Sequence, residues 1–278
     1  MTSTVRTRSV GDHLRQWRQR RRLSQLDLAC EADISAKHLS FVETGRSQPS
    51  RDMVLHLADR LEIPLRDRNL LLVAAGYAPV FPERPLDDPA LGAARKAVDL
   101  VLAGHEPYPA LAVDRQWNMV AANTMVGRLV AGVDAALLKP PVNVLRLSLH
   151  PQGLAPRTVN LAEWRAHLLA RLRRQVELSA DARLVSLLSE LRGYPAPLSA
   201  SPAAIAEYGE IVVPFRLSSG AGVLSFFSTT TVFGTPVDVT LAELALESFF
   251  PADAATAEAL HRLAAGDSAG VARRAAAS

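Results

Sequence analysis

The chain has 278 residues, 49% of them apolar and 5% aromatic, with 31 basic and 28 acidic side chains and a formal net charge of +3. That length predicts two domains with sizeable cores. No apolar run reaches the roughly 18 residues of a membrane span, and no apolar stretch precedes the first arginines as a signal peptide requires, so a cytoplasmic protein is expected. The single cysteine, Cys30, leaves no intrachain disulfide and no cysteine-based metal site.

Charge is divided unevenly. Residues 1–80 hold 13 basic and 9 acidic groups, and the remaining 198 hold 18 and 19. The positive excess therefore falls on the N-terminal segment, where it serves either phosphate neutralisation or a solvated basic surface.

Residues 1–9 are polar and expected to be disordered. Val10 to Arg22 reads as a helix with Leu14 and Trp17 on its inner face and the run Arg18–Arg22 mostly on a solvated one. Leu23 to Gly45 reads as two short helices joined by a tight turn. Ser24 is a good N-cap, with Asp27 three residues on as the capping carboxylate. Leu26, Leu28, Ala29 and Ala32 then recur at helical spacing. Ser35 caps the second helix, in which Leu39 and Val42 share a face, and Gly45 suits the left-handed residue that ends it. Such a pair is the geometry of a helix-turn-helix, whose second helix enters the DNA major groove. Ser50 caps a fourth helix with an apolar stripe of Met53, Val54, Leu57, Ala58 and Leu61. A fifth, Leu65 to Ala75, closes the domain with Leu70, Leu71, Leu72 and Val73.

Gln25, Ala29, Ile34 and the run Glu43-Thr44-Gly45 carry a resemblance. Over residues 10–78 the chain resembles the repressor-type helix-turn-helix domain of lambdoid phage repressors and the xenobiotic-response-element family. Asp33 departs from it, standing where the family usually has a left-handed Gly, a conformation that Asp tolerates. The resemblance implies an ion pair between Arg18 and Glu43. It also implies that Ser35, Ala36, Lys37, His38, Ser40 and Phe41 face base edges. Lys37 would donate to guanine, Ala36 and Phe41 would touch a thymine methyl, and His38 would reach a base or a phosphate. Gln25 would help hold a phosphate at its helix N-terminus, and Arg46 and Arg51 would touch the backbone. The alternative for Phe41 is a place in the core, and for Lys37 plain solvation. One domain reads one half-site, so a homodimer on an inverted-repeat operator in double-stranded DNA is implied.

Residues 79–89, with four prolines and three acidic residues, read as a linker. Ala90 to Ala103 is a predicted helix. Pro109–Val113 and Trp117–Ala122 form a hairpin that turns near Asp114-Arg115. Asn123 caps a helix to about Val130. Asn143 to Leu149 is a buried strand or a helical turn. Leu161–Leu178, with Asn160 as cap, and Asp181–Arg192 are helices. Ile211–Leu217 and Val223–Val232 are strands joined by the loop Ser218–Gly222. Thr240–Phe250 reads as a strand, although Thr240-x-x-Glu243 argues for helix. Asp253 caps a last helix to Ala265, and residues 266–278 are expected to be a disordered tail.

This order predicts an α+β chain. A five-helix all-α domain comes first, followed by an α+β domain over residues 90–265 with an antiparallel sheet of about five strands and helices over one face, as in PAS-like folds. His38–Ser47, Val232–Pro236 and Glu247–Asp253 sharpen the match. The chain, over about residues 8–265, resembles the MmyB-like transcription regulators. Their C-terminal domain is PAS-like, and at least one member binds a fatty acid. Val213, Phe215, Leu224, Phe226 and Phe227 are candidates to line a cavity, or else an ordinary packed core. Arg146 and His150 are candidates to anchor a carboxylate, the alternative for Arg146 being a pair with an acidic residue. Trp117 and Trp164 read as core or surface aromatics.

Catalysis is the competing class. His150, His167 and His261 lack metal-ligand spacing, and no nucleophile elbow, phosphate loop or dinucleotide fingerprint occurs. The glycines of 218–222 lie between two strands. No cofactor and no enzymatic activity are expected. The sequence thus reads as a homodimeric DNA-binding regulator, a repressor, that senses a small apolar ligand such as a fatty acid. The alternative is a second domain that only dimerises or docks another protein.

Overall fold

The computed structural model describes residues 8–179, 181–195, 213–234 and 236–275. The chain forms two compact units: Met1–Asp88 with Gly234–Ala242, and Pro89–Phe233 with Glu243–Ser278. Among the described residues no helix is long and apolar enough to cross a membrane.

The first unit is built from α1 (Val10–Arg20), α2 (Gln25–Glu31), α3 (Ala36–Glu43), α4 (Arg51–Arg60) and α5 (Leu65–Ala74). Serine starts four of the five. Ser9 and Ser24 form full capping boxes with Asp12 and Asp27, and Ser35 and Ser50 accept from the backbone N–H three residues on. The turns use left-handed residues where the chain must reverse, with Arg22 at φ 58°, Asp33 at φ 51°, Glu62 at φ 48° and Gly45 at φ 73°. Asp33 thus takes the conformation expected of it. The first helix ends at Arg20, two residues earlier than its pattern predicts, with Arg22 left-handed in the turn. Leu14, Leu28, Leu39, Val42, Leu57 and Leu72 are fully buried in one core, with Ile34 packed against it. In α5 only Leu71 and Leu72 enter that core. Leu70 and Val73 are more than half exposed, because four consecutive residues span more than one helix face.

Gly11 sets how closely α1 and α3 approach. A Cβ there would stand 2.5 Å from the carbonyl oxygen of Val42 and 2.7 Å from that of Glu43. The proline-rich stretch read as a linker is fastened to α5. Asn69 Oδ1 accepts from the N–H groups of Val80 and Phe81, and its Nδ2 donates to the Phe81 carbonyl.

The second unit begins with a 3-10 turn, Pro89–Leu91, and α6 (Gly92–Gly104). The hairpin β1 (Ala110–Val113) and β2 (Met119–Ala122) follows, then α7 (Thr124–Leu129), α8 (Val144–Leu149), α9 (Leu161–Ser179) and α10 (Ala182–Arg192). Next come β3 (Phe215–Ser219), β4 (Gly222–Val232), the single turn α11 (Val239–Ala242), β5 (Ala245–Pro251) and α12 (Ala254–Ala275). The five strands form one antiparallel sheet in the order β2-β1-β5-β4-β3.

Several expectations need correction. The ambiguous segment 240–250 is helix and then strand, because Asp238 caps Thr240 before the apolar run of β5 starts. α11 belongs to the first unit, where the Val239 N–H donates to the Pro82 carbonyl and Thr240 Oγ1 to that of Arg84. Asn123 caps nothing with its side chain. It accepts from the Ala110 N–H and donates to the Leu102 and Tyr108 carbonyls, tying α6 to β1. At β1 the sheet is covered on both faces: Ala110 and Ala112 meet Val98 and Leu102 of α6, while Leu111 and Val113 face the larger core. β1 is therefore buried throughout. The last helix continues past Ala265, since alanine and arginine favour helix and each of its two glycines costs only about 1 kcal/mol. Ile211 and Val212 of the predicted strand lie outside the described residues.

Glu43 and Arg18 form the buried ion pair of the first core. Arg18 Nε and Nη2 donate to the two carboxylate oxygens at 2.7 and 2.9 Å, and the Glu43 side chain is 0% exposed. Replacing Arg18 by Ala should cost about 3–5 kcal/mol, toward the lower end because Arg15 and Gln25 also hold Glu43. Hydrogen exchange of the α1 and α3 amides in the full chain reads this as lost protection.

Burial pushes the Glu43 carboxyl up, but the hydrogen bonds from Arg18 and Gln25 outweigh it and hold it below its ordinary 4.5. A carboxyl depressed by folding stabilises the fold above its unfolded value and loses that contribution as pH falls through its folded one. Intrinsic-rate-corrected protection of α1 and α3 should be flat from pH 7 to 5 and fall below 4.5. Glu43→Gln should lower the plateau and flatten the fall.

Candidate nucleic-acid interface and ligand cavity

The same carboxylate orients the outer face of the helix-turn-helix. Glu43 ends α3, and its oxygens accept from α1 through Arg18 and from α2 through Gln25 Nε2 at 2.8 Å. Arg15 Nη2 also donates to the Glu43 carbonyl at 2.9 Å. Three helices are thus joined at one residue. Gln25, expected from sequence to hold phosphate, directs one N–H of its amide inward to Glu43. Arg15 was not singled out from sequence. Its signal is the spacing Arg15–Arg18, which places both on one face of α1.

On α3 the cap and the face separate cleanly. Ser35 is exposed, and its hydroxyl accepts from the His38 N–H as the N-cap. Ala36 packs against the core from its edge. Lys37 is exposed, while His38, Ser40 and Phe41 are half-buried. Phe41 stands outside the helical core. Its ring lies 5.7 Å from Lys37 Nζ and 5.8 Å from the Arg46 guanidinium. An aromatic ring between two cations keeps both near it by its negative face. Arg46 and Arg51 are exposed on the loop after α3 and at the start of α4. The structure therefore brings Lys37, Phe41 and Arg46 together on one surface.

In the second unit a cavity of about 100 Å³ lies between the sheet and helices α7–α9. Leu111, Phe215, Phe226 and Phe249 supply its sheet wall, and Val126, Leu145 and Leu168 face them from the helices. The lining is apolar except for Ser148, Ser228 and the adjoining Arg171 and Glu247. Arg171 Nη1 and Nη2 donate to the two oxygens of Glu247 at 3.0 and 2.6 Å. Thr230 Oγ1 accepts from Arg171 and donates to Glu247. The guanidinium lies 4.6 Å from the Trp117 ring centre.

Trp117 reaches that position from a left-handed backbone, φ 67°. Such a conformation is costly for a bulky residue, by about 1–3 kcal/mol. Asp114 holds the turn by accepting from the N–H groups of Gln116 and Asn118, and Gln175 Oε1 accepts from the indole N–H at 2.7 Å. Trp164, the other indole of the cavity, donates to Ser148 Oγ and stacks on His167. Burial, followed by the charge of Arg171, pushes His167 below its ordinary value.

Of the residues expected to line a cavity, Phe215 and Phe226 do so. Leu224 is buried in the surrounding core and Val213 packs at its edge. Phe227 points to the opposite face and stacks on Phe250, as strand alternation requires. Arg146 and His150 do not anchor anything in the cavity. Arg146 makes a two-pronged pair with Glu190 at 2.7 and 2.8 Å beside a separate polar hollow, which is the acidic pairing that sequence left open. Tyr194 donates to the same carboxylate, and burial together with that bond pushes its hydroxyl up to about 12. His150 Nδ1 accepts from the Gln152 N–H, and its ring meets Tyr194 edge-on.

The charged residues at the cavity are ones that sequence reasoning passed over. Their signals exist. Arg171 falls on the apolar Trp164–Leu168–Leu172 stripe of α9, and Glu247 shares a strand face with Phe249.

A ligand-binding domain described as "MmyB-like transcription regulator ligand binding domain" matches residues 94–263. A helix-turn-helix domain matches residues 9–71. No curated protein matches the chain. Among solved structures, one titled "Structure of an RNA-binding Light-Oxygen-Voltage Receptor" is similar at 14% identity and a TM-score of 0.24, over 92% of this chain and 66% of that one. The two domain matches agree with the helical unit and the cavity-bearing sheet unit, and the chain belongs to the MmyB-like transcription regulators.

Proposed function

We propose that the protein is a homodimeric, sequence-specific repressor that binds an inverted-repeat operator and is controlled by a small apolar molecule held in a PAS-like second domain. The observation that carries the DNA-binding half is the exposed surface of α3, where Lys37 and Arg46 flank Phe41. Lys37 on the first turn of a recognition helix reads a guanine edge, and Phe41 meets a thymine methyl one turn on. Ser35, Ala36, His38 and Ser40 complete that face. Arg46 and Arg51 hold the phosphate backbone, with the amides at the start of α2 beside Gln25. Two such units, related by a two-fold axis, match two half-sites about 34–36 Å apart.

The sensing half is supported by the apolar cavity. Its volume of about 100 Å³ is below the roughly 150 Å³ of a cavity that holds benzene. A fatty acyl chain has the right chemistry for the walls but exceeds that space, so its entry requires α7–α9 to shift from the sheet. A ligand that moves helices can be read out elsewhere in the chain, which is what a sensor needs.

Selection of the full chain against random duplexes at fixed salt tests the reading. Enrichment of an inverted repeat with half-site centres about 10 bp apart supports it, and recovery of no common sequence overturns it. Lys37→Ala should cost about 1–3 kcal/mol on the enriched duplex and relax preference at one base pair per half-site. Arg51→Ala should weaken all duplexes alike and lower the slope of log affinity against log salt by about 1 for each site lost. Quantitative gel shifts at several salt concentrations distinguish the two.

A further inference from the structure

The polar end of the cavity is a closed ion pair, and this restricts the charge of what can enter. Among the described residues lining the cavity, Arg171 and Glu247 are the charged ones. They neutralise each other through two hydrogen bonds, at 3.0 and 2.6 Å. Both carboxylate oxygens of Glu247 are engaged: Oε1 takes Arg171 Nη2 and Thr230 Oγ1, and Oε2 takes Arg171 Nη1. The Glu247 side chain is 6% exposed, so water does little to screen it. Trp117 covers the guanidinium from the other side. His167, the next titratable group on α9, is pushed toward its uncharged form by burial.

A carboxylate brought to this end meets Glu247 at close range in apolar surroundings. It can use the N–H groups of Arg171 left over from the pair only beside the negative charge of Glu247. A hydroxyl, amide or ester oxygen faces no such penalty. It needs one donor, and the arginine carries five N–H groups, of which the pair and Thr230 use three.

We propose that the cavity selects an apolar chain with an uncharged head group, such as a fatty alcohol, amide or ester, over the corresponding carboxylate, and that Glu247 is the residue that rejects the acid. This rests on the reading of the cavity as a ligand site. A fatty acid satisfies the walls but not the polar end.

Calorimetric titration of the full chain with matched probes tests it, using the alkanoate, the 1-alkanol and the alkanamide at six, eight, ten and twelve carbons. At equal chain length and neutral pH the alcohol and amide should bind at least tenfold more tightly than the alkanoate. Glu247→Gln keeps the shape and an acceptor for Arg171 while removing the negative charge. In that variant the alkanoate should gain at least tenfold, with the alcohol changing little. Equal or tighter binding of the alkanoate to the unaltered protein overturns the head-group assignment and leaves the cavity as a ligand site. Binding of none of the probes overturns the ligand site itself, and the assignment with it. The ranking in the unaltered protein decides the matter even if the variant folds poorly.

Discussion

A carboxylate taken out of water is costly unless a cation and hydrogen bonds compensate it, and each unit of this protein contains such a match. In the helical unit it is Glu43 with Arg18, and in the sheet unit Glu247 with Arg171. Removing either partner leaves an uncompensated charge in apolar surroundings, which is more costly than the pair itself is favourable. The pair therefore acts less as a source of stability than as a constraint on geometry. The elements that carry its members must meet at one place.

The consequence for the helical unit is orientation. Glu43 collects donors from α1 and α2, and Gly11 lets α1 come close enough for them to arrive. With α3 fixed from its inner side, its outer side is left to Lys37 and Phe41, and Arg46 follows from the loop. Side chains on a rigid helix have little freedom to lose on meeting a partner. In the sheet unit the pair closes the polar end of an otherwise apolar cavity. A left-handed Trp117 is held against it by the Asp114 turn and by Gln175. Backbone strain of this kind persists only where neighbours over-determine it.

The helical unit was largely legible from sequence because its signals are local. Serine caps with Asp three residues on, an Asp at the tight turn and apolar spacing all act within a few residues, and all point the same way. Where several signals compete, the pattern misleads. Leu70–Val73 is uniformly apolar yet faces two ways, and 240–250 contains a helix cap followed by a strand. Asn123 has the composition of a cap but spends its amide on three backbone groups of neighbouring elements. The candidate anchor of the cavity went astray for the same reason. Arg146 and Arg171 are both arginines in apolar stretches, and only the fold shows that one meets Glu190 beside a polar hollow while the other meets Glu247 at the cavity.

The sequence by itself determined the two-part organisation, the helix-turn-helix with its caps and its Arg18–Glu43 pair, the α+β character of the second part and the family to which both belong. These follow from short-range rules of capping, turn conformation and periodicity, or from motifs long enough to carry a resemblance. Tertiary structure alone decided that the proline-rich stretch after Ala78 is fastened to α5 and that α11 joins the first unit. It alone decided that β1 is covered on both faces and that Arg171 meets Glu247 at the cavity. The last of these depends on residues 76 positions apart meeting between a helix and a strand. A chain's pairing of distant charges is set by which elements close on one another, and that is a property of the packed whole.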